Sequence, residues 1–429
     1  MRLASRSSAV LALALALLLP ACGDDAPAKK EGGGSKPGGA AGGGVSLGKK
    51  MPEFTPSGIK EDYDKVKDLH SSIKRPKNEE ERNASKKALA ELLPALCEKW
   101  AGKEVPAPEA LMYAYILNES DKFNEAASQC RRYAEVAPPD GPNYTHAVSL
   151  LISSLASAGN YDEAVAELEK NSDTTYKNKD TERVSVSTGI ALAMMHAGKV
   201  DKAGEYFEKV CTEGPGDVES VIYGVDCYLR IDRVQDALRV AEKGASFFKE
   251  GNFGERMREL VRQVNLVGKL APDFSMIRDW VGEGGQVTQE MMAGKVTVVF
   301  FWNMQKQWNK WFFERLNKMN ADLAPRGLIL VGCSRLAHFD ARKMATIKEL
   351  SEEEEVAQVE LYAKQESIHF SLAIGNYDPD TALLDAWAGH VVPSYVVVGK
   401  DGKVSYVRSG KDEDHIAVLR EMVEKAMAK

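Results

Sequence analysis

FFWNMQKQWNKWFF, residues 300–313, is apolar at both ends and polar between them. Its first residues close a longer apolar run, GKVTVVFFW (294–302), which suits a strand buried on both faces. From Lys310 to Leu323 apolar and charged residues alternate with helical period. The stretch therefore reads as strand, short polar turn, helix. Downstream, GLILVGCS (327–334) and HFSLAIG (369–375) read as further strands. Between them, Phe339 to Ala363 reads as a helical insertion facing water, with the acidic run Glu352 to Glu355. DTALLDAWAGHVVPSYVVVGKDGKVSYVRSG (380–410) gives a helix, a Val-Pro step and a hairpin turning at Lys400-Asp401-Gly402. Asp-Gly between alternating apolar runs is a strong hairpin signal. Ile416 to Met427 is a closing helix.

This order resembles the thioredoxin fold with the extra N-terminal strands of the redoxin group. GKLAPDFS (268–275) is similar to the opening motif of redoxins and of membrane-anchored thiol-disulfide oxidoreductases. The resemblance spans residues 266–429. It implies a cis bond between Val392 and Pro393, facing the active-site turn. It also implies an exposed strand edge there, where family members hold an extended peptide by backbone hydrogen bonds. Finally it implies Cys-x-x-Cys at the turn, and here the sequence departs. The four slots hold Lys306, Gln307, Trp308 and Asn309.

Thiol–disulfide exchange needs a thiolate to attack and, usually, a second thiol to resolve the mixed disulfide. Neither Lys306 nor Asn309 can do this. A peroxidatic cysteine would occupy much the same place, so peroxide chemistry meets the same obstacle. Cys333 is the domain's only cysteine, and it lies in a buried strand pattern. Lys306 reads either as an exposed lysine at a relic turn or, with free backbone N–H groups, as a cradle for a partner's carboxylate. Trp308 reads as a binding anchor or as a ring folded onto Trp311 or Phe312. Trp311, Phe312 and Leu316 read as core.

Residues 58–265 read almost wholly as amphipathic helices, within an expected domain of residues 55–265. A local pattern recurs as SDKFNEA (ending at Ala126), AGNYDEA (Ala164), AGKVDKA (Ala203) and IDRVQDA (Ala237). The intervals are 38, 39 and 34 residues, close to the tetratricopeptide unit of about 34. The segment resembles that repeat. Each helix pair has a face it cannot bury alone, and stacking neighbours buries it. The alanines permit close helix approach, and Phe123, Tyr161, Val200 and Val234 are placed to fill the gap at each turn. Gly159 and Gly198 are expected to end helices at positive φ. Pro138 and Pro139 should stop a helix. Such repeats present a concave face to a peptide or protein; Tyr113, Tyr144, Tyr223 and Arg230 either line it or pack inside. The expected fold class is thus multidomain, an all-α helical-repeat domain followed by an α/β thioredoxin-like domain.

The N-terminus reads as a targeting signal. Arg2 and Arg6 precede eleven apolar residues, Ala9 to Leu19, too few to span a bilayer. Leu19-Pro20-Ala21-Cys22 resembles the lipobox of bacterial lipoproteins, which implies removal of residues 1–21 and lipid on Cys22. Lipidation would anchor the chain to a membrane without a spanning helix. Residues 22–54 continue as a Gly-rich stretch that cannot bury enough surface to fold, a flexible tether. Loss of Arg2 and Arg6 takes the formal charge from −7 to −9, which argues against a nucleic-acid role.

Four cysteines remain, Cys97, Cys130, Cys211 and Cys227, in an exported and oxidising setting. Bridges 211–227 and 97–130 are the expected pairings, against four buried free thiols. The scattered histidines suggest no metal site, and no cofactor is expected. The combined expectation is an envelope lipoprotein that binds or scaffolds a peptide or protein through a redox-inactive domain. The alternatives are an envelope thiol-disulfide oxidoreductase, or a repeat scaffold capped by the second domain.

Overall fold

The structure is a computed structural model. It describes residues 51–76, 78–212, 217–305, 309–340, 345–347, 350–376, 382–410 and 415–429, except the side chains of Glu79, Asn309 and Lys310. The chain divides into two compact units, Met1–Ala203 and Gly204–Lys429. Cys22, the expected signal and most of the expected tether lie outside the described residues. Among the described residues no helix is long and apolar enough to cross a membrane.

The first unit is helical: α1 (Ile59–Lys74), α2 (Glu79–Trp100), α3 (Ala110–Glu119), α4 (Phe123–Val136), α5 (Tyr144–Ser157), α6 (Tyr161–Ser172) and α7 (Asp180–His196), followed by α8 (Val200–Thr212). The second unit continues with α9 (Val218–Arg230), α10 (Val234–Phe247) and α11 (Gly251–Leu266). Phe123, Tyr161, Val200 and Val234 each begin a helix. The four turns before them close alike. Lys122, Asn160, Lys199 and Arg233 each donate N–H to the carbonyl five residues back, all at 2.9 Å. The residue just before each donor, Asp121, Gly159, Gly198 and Asp232, has φ between 57° and 86°. Glycine takes that conformation freely, and aspartate is among the side chains that tolerate it. Ala126, Ala164, Ala203 and Ala237 are fully buried.

Buried polar groups tie the first unit's opening helices together. The Asp62 carboxylate accepts from Trp100 Nε1 at 2.9 Å and Lys99 Nζ at 2.5 Å. Burial pushes its pKa up, but the bonds from Lys99, Trp100 and Lys65 outweigh that and hold it below the usual range. His70 bridges Glu119 at 2.9 Å and Tyr115 at 3.1 Å. Tyr113 is buried, Tyr223 stacks on Phe207 at 5.8 Å, and Arg230 pairs with Glu421 at 2.9 Å. These three are engaged within their own units.

In the second unit a six-stranded mixed sheet follows the helices. Its strands are β1 (Asp279–Val281), β2 (Val296–Phe301), β3 (Leu328–Arg335), β6 (Ser371–Gly375), β7 (Ser394–Val398) and β8 (Val404–Ser409), in the order β1-β6-β3-β2-β7-β8. β2, β3 and β6 run parallel, whereas β1, β7 and β8 are antiparallel to their neighbours. Central β2 is buried at every residue, as its unbroken apolar run requires. Helices α12 (Gln289–Met292), α13 (Asn309–Leu323), α14 (Glu352–Gln365), α15 (Ala382–Trp387) and α16 (His415–Ala428) complete the unit. The hairpin turns at Gly402, with φ 75°. The opening segment joins the far edge, where Gly268 N and Ala271 N donate to Val404 O and Gly402 O at 2.8 and 2.9 Å.

Two expectations need correction. The insertion from Phe339 to Ala363 is not one helix. It opens with a short ladder, β4 (Phe339–Asp340) and β5 (Ala345–Thr346), and α14 starts only at Glu352. Ser351 and Glu354 form a reciprocal capping box that sets this start. The buried Glu355 carboxylate accepts the N–H groups of Ala337, His338 and Phe339, holding those residues out of helix.

The expected disulfides are also absent: Cys97, Cys130, Cys211, Cys227 and Cys333 are buried free thiols. A Cβ on Gly204 would lie 3.3 Å from the Cys227 Cβ, so Cys227 stands opposite the start of α8. Cys211 is seven residues further along that helix, roughly 10 Å by the helical rise, beyond the ~7 Å that a disulfide spans between Cα atoms. Cys97 lies in α2 and Cys130 in α4, and both helices pack against α3. Burial pushes the thiol pKa of Cys211 up to about 12, and raises those of Cys130, Cys227 and Cys333 as well. At pH 8 the native chain should therefore react slowly with an aromatic disulfide reagent. In denaturant all five of these thiols should titrate, besides Cys22 where it is unmodified; a count lower by two would restore one bridge.

Candidate functional site

The site is built where β2 ends. Phe301 pairs with Ser394 on β7, so Trp302 leaves the sheet opposite Pro393. Trp302 N donates to Cys333 O at 3.0 Å, which holds the chain to the tip of β3. The Trp302 ring is buried, stacked on Tyr362 at 5.9 Å and edge-on to Phe313 at 5.1 Å. Gly332 makes room for it: a Cβ there would meet Trp302 Nε1 at 3.2 Å and a Leu372 methyl at 2.6 Å. Asn303 then accepts Gln305 N–H at 2.8 Å through its side chain, a local turn that bends the chain toward α13.

Lys306, Gln307 and Trp308 lie outside the described residues, and Asn309 is placed only as the first residue of α13. Beyond it, Phe312, Phe313 and Leu316 are core. Trp311 is not: it is half-buried, and the Arg315 guanidinium covers its ring at 3.8 Å. Cys333 sits in β3 between Phe301 and Ala373, with no exposed surface. Burial alone raises its pKa well above the usual thiol range. Burial and the raised pKa both work against thiolate formation with access, which sulfur chemistry requires.

Across the turn, Val392–Pro393 is cis. Pro393 is buried, while Val391 and Val392 are half-buried. Pro393 O accepts from Gly410 N at 3.0 Å, just past β8. The loop before the proline is held by residues the sequence reading did not single out. Gln263 Nε2 donates to Ala388 O at 2.8 Å, and Glu259 Oε1 accepts from His390 N at 2.8 Å. Both side chains belong to α11. Their only sequence signal is a polar pair spaced four apart beside Leu260 and Val264, which is common on any amphipathic helix.

Strand order and the cis-proline loop together give this unit a thioredoxin-like α/β fold. A sequence model described as the AhpC/TSA family matches residues 267–407. Solved structures with similarity include a proposed thiol:disulfide interchange protein DsbE from Chlorobium tepidum. It is 20% identical with TM-score 0.30, the match covering 38% of this chain and 97% of that one. A proposed thioredoxin from Neisseria meningitidis is 19% identical with TM-score 0.27, covering 37% and 90%. A thiol-disulfide isomerase from Corynebacterium glutamicum is 15% identical with TM-score 0.30, covering 37% and 97%. No curated protein matches the chain.

Proposed function

We propose that the thioredoxin-like unit holds an extended protein segment beside Pro393 and performs no thiol exchange. The observation that carries this is Cys333, the only sulfur nucleophile in residues 266–429, fully buried inside the central sheet. The slots that would supply reactive thiols hold Lys306 and Asn309. The strand frame and the cis bond at Val392–Pro393 are intact. In this reading Trp308 is the partner's anchor. The helical repeats are of tetratricopeptide kind, and lipid on Cys22 holds the protein at the bacterial envelope. Mass spectrometry of the mature N-terminus tests the anchor; an unlipidated N-terminus at another residue removes it.

The match to the AhpC/TSA family favours a second reading, an envelope redoxin acting on disulfides or peroxides. One experiment separates the two. The full chain, given dithiothreitol, is assayed for insulin reduction and for hydrogen peroxide consumption. Rates equal to background, unchanged in Cys333→Ser, are the expected result. Turnover abolished by Cys333→Ser would establish the enzyme instead. Trp308→Ala should weaken partner binding by about 2 kcal/mol if the ring is an anchor. Unchanged binding, lost only when the helical repeats are deleted, would move the function to those repeats.

A further inference from the structure

The cis-proline loop is held from outside its own sheet. Glu259 and Gln263 lie four residues apart on α11 and so share one helix face. Each is 1% exposed. Gln263 uses both ends of its amide: Nε2 donates to Ala388 O at 2.8 Å, and Oε1 accepts from Ser409 Oγ at 2.7 Å. Glu259 Oε1 accepts His390 N–H at 2.8 Å, and its other oxygen pairs with Arg262 at 2.6 Å. Arg262 and His390 also converge on Asp385, at 3.6 and 2.8 Å. The bonds therefore reach both flanks of Pro393. Ala388 and His390 precede it, and Ser409 adjoins Gly410, the donor to Pro393 O.

Burying a glutamate and a glutamine costs free energy unless their hydrogen bonds are made. An apolar pair of similar volume would often stabilise such an interface as well or better. What the polar pair adds is direction, since fixed donors and acceptors admit only one placement of the loop backbone. We infer that α11 is a clamp that sets the cis-proline loop, with Glu259 and Gln263 as positioning residues for the binding edge. The inference rests on the binding reading above and deepens it. The Ala388 carbonyl and His390 amide are occupied by α11, so neither is available to a partner. The partner segment is extended, and it binds only while the clamp is closed.

Amide hydrogen exchange of the full chain, read by mass spectrometry, tests the clamp without any ligand. Gln263→Leu and Glu259→Ala should each speed exchange across residues 388–393 by about tenfold, leaving β2 unchanged. Glu259→Gln keeps an acceptor oxygen and should restore slow exchange at His390. Unchanged exchange at 388–393 would overturn the inference, as would a uniform rise across the second unit. If Gln263→Leu fails to fold, the contrast between Glu259→Ala and Glu259→Gln decides. Reduced, carboxymethylated insulin B chain serves as the extended probe, and its affinity should fall about tenfold in Gln263→Leu, in step with the exchange. Affinity unchanged while 388–393 opens would overturn the positioning role. Failure of the unaltered chain to bind the probe would count against the binding reading, and the exchange result would still judge the clamp.

Discussion

Asp226→Ala should destabilise the second unit by about 3–5 kcal/mol, the range for removing one partner of a buried ion pair. Asp226 on α9 and Arg408 on β8 are each about 2% exposed at the side chain and pair at 3.0 Å. Tyr406 OH donates to the other carboxylate oxygen. Burial and then the Asp226 charge hold the Tyr406 phenol well above its usual pKa, so it stays neutral and donates at any physiological pH. Without Asp226, the Arg408 guanidinium loses the carboxylate that balances it in a region closed to water, and Tyr406 loses its acceptor. Asp226→Asn keeps acceptor capacity for Tyr406 but not the charge, and should fall between. The triple change Asp226→Leu, Arg408→Met and Tyr406→Phe should recover most of the loss, because the desolvation of two charges and of the Tyr406 hydroxyl is removed along with their attraction. Chemical denaturation of the full chain, monitored on the second unit, measures this. A loss under 1 kcal/mol for Asp226→Ala would mean that water reaches the pair.

Trp387→Ala should cost a similar amount, about 3–5 kcal/mol, as expected for truncating a buried aromatic. Trp387 has no exposed surface. Its ring stacks on Phe274 at 5.3 Å with planes 16° apart, and Phe274 meets Trp280 edge-on at 5.5 Å. The indole N–H donates to Asp273 O at 3.3 Å. One side chain on α15 thus pins the opening segment 268–275 and the edge strand β1 to the core. Trp387→Phe would keep most of the stack and lose the hydrogen bond, a difference of about 1 kcal/mol. Equal effects from the Ala and Phe variants would assign the role to the hydrogen bond rather than to the ring.

These side chains help explain why α9–α11 share a compact unit with the sheet. Asp226 meets Tyr406 across 180 residues, and Gln263 meets Ala388 across 125. Periodicity marks α9–α11 as helices resembling the repeats before them, and that part is local. Which surface they cover depends on contacts far away in the chain.

What the sequence determined by itself is what neighbours within a few residues can encode. The apolar run 294–302 specified a central strand, and Asp401-Gly402 a hairpin. The four short patterns ending at Ala126, Ala164, Ala203 and Ala237 specified one turn four times over. Chemistry that needs a residue type was equally legible, since Lys306 and Asn309 cannot supply a thiolate whatever the fold does. The tertiary structure decided the rest. It placed Cys227 opposite Gly204 rather than Cys211, because antiparallel register, not sequence proximity, sets which residues of two packed helices meet. It broke the 339–363 insertion where Glu355 gathers three backbone N–H groups. It drew Glu259 and Gln263 into the loop before Pro393. A buried hydrogen bond depends on where both partners end up, and a one-dimensional pattern reports only one of them at a time.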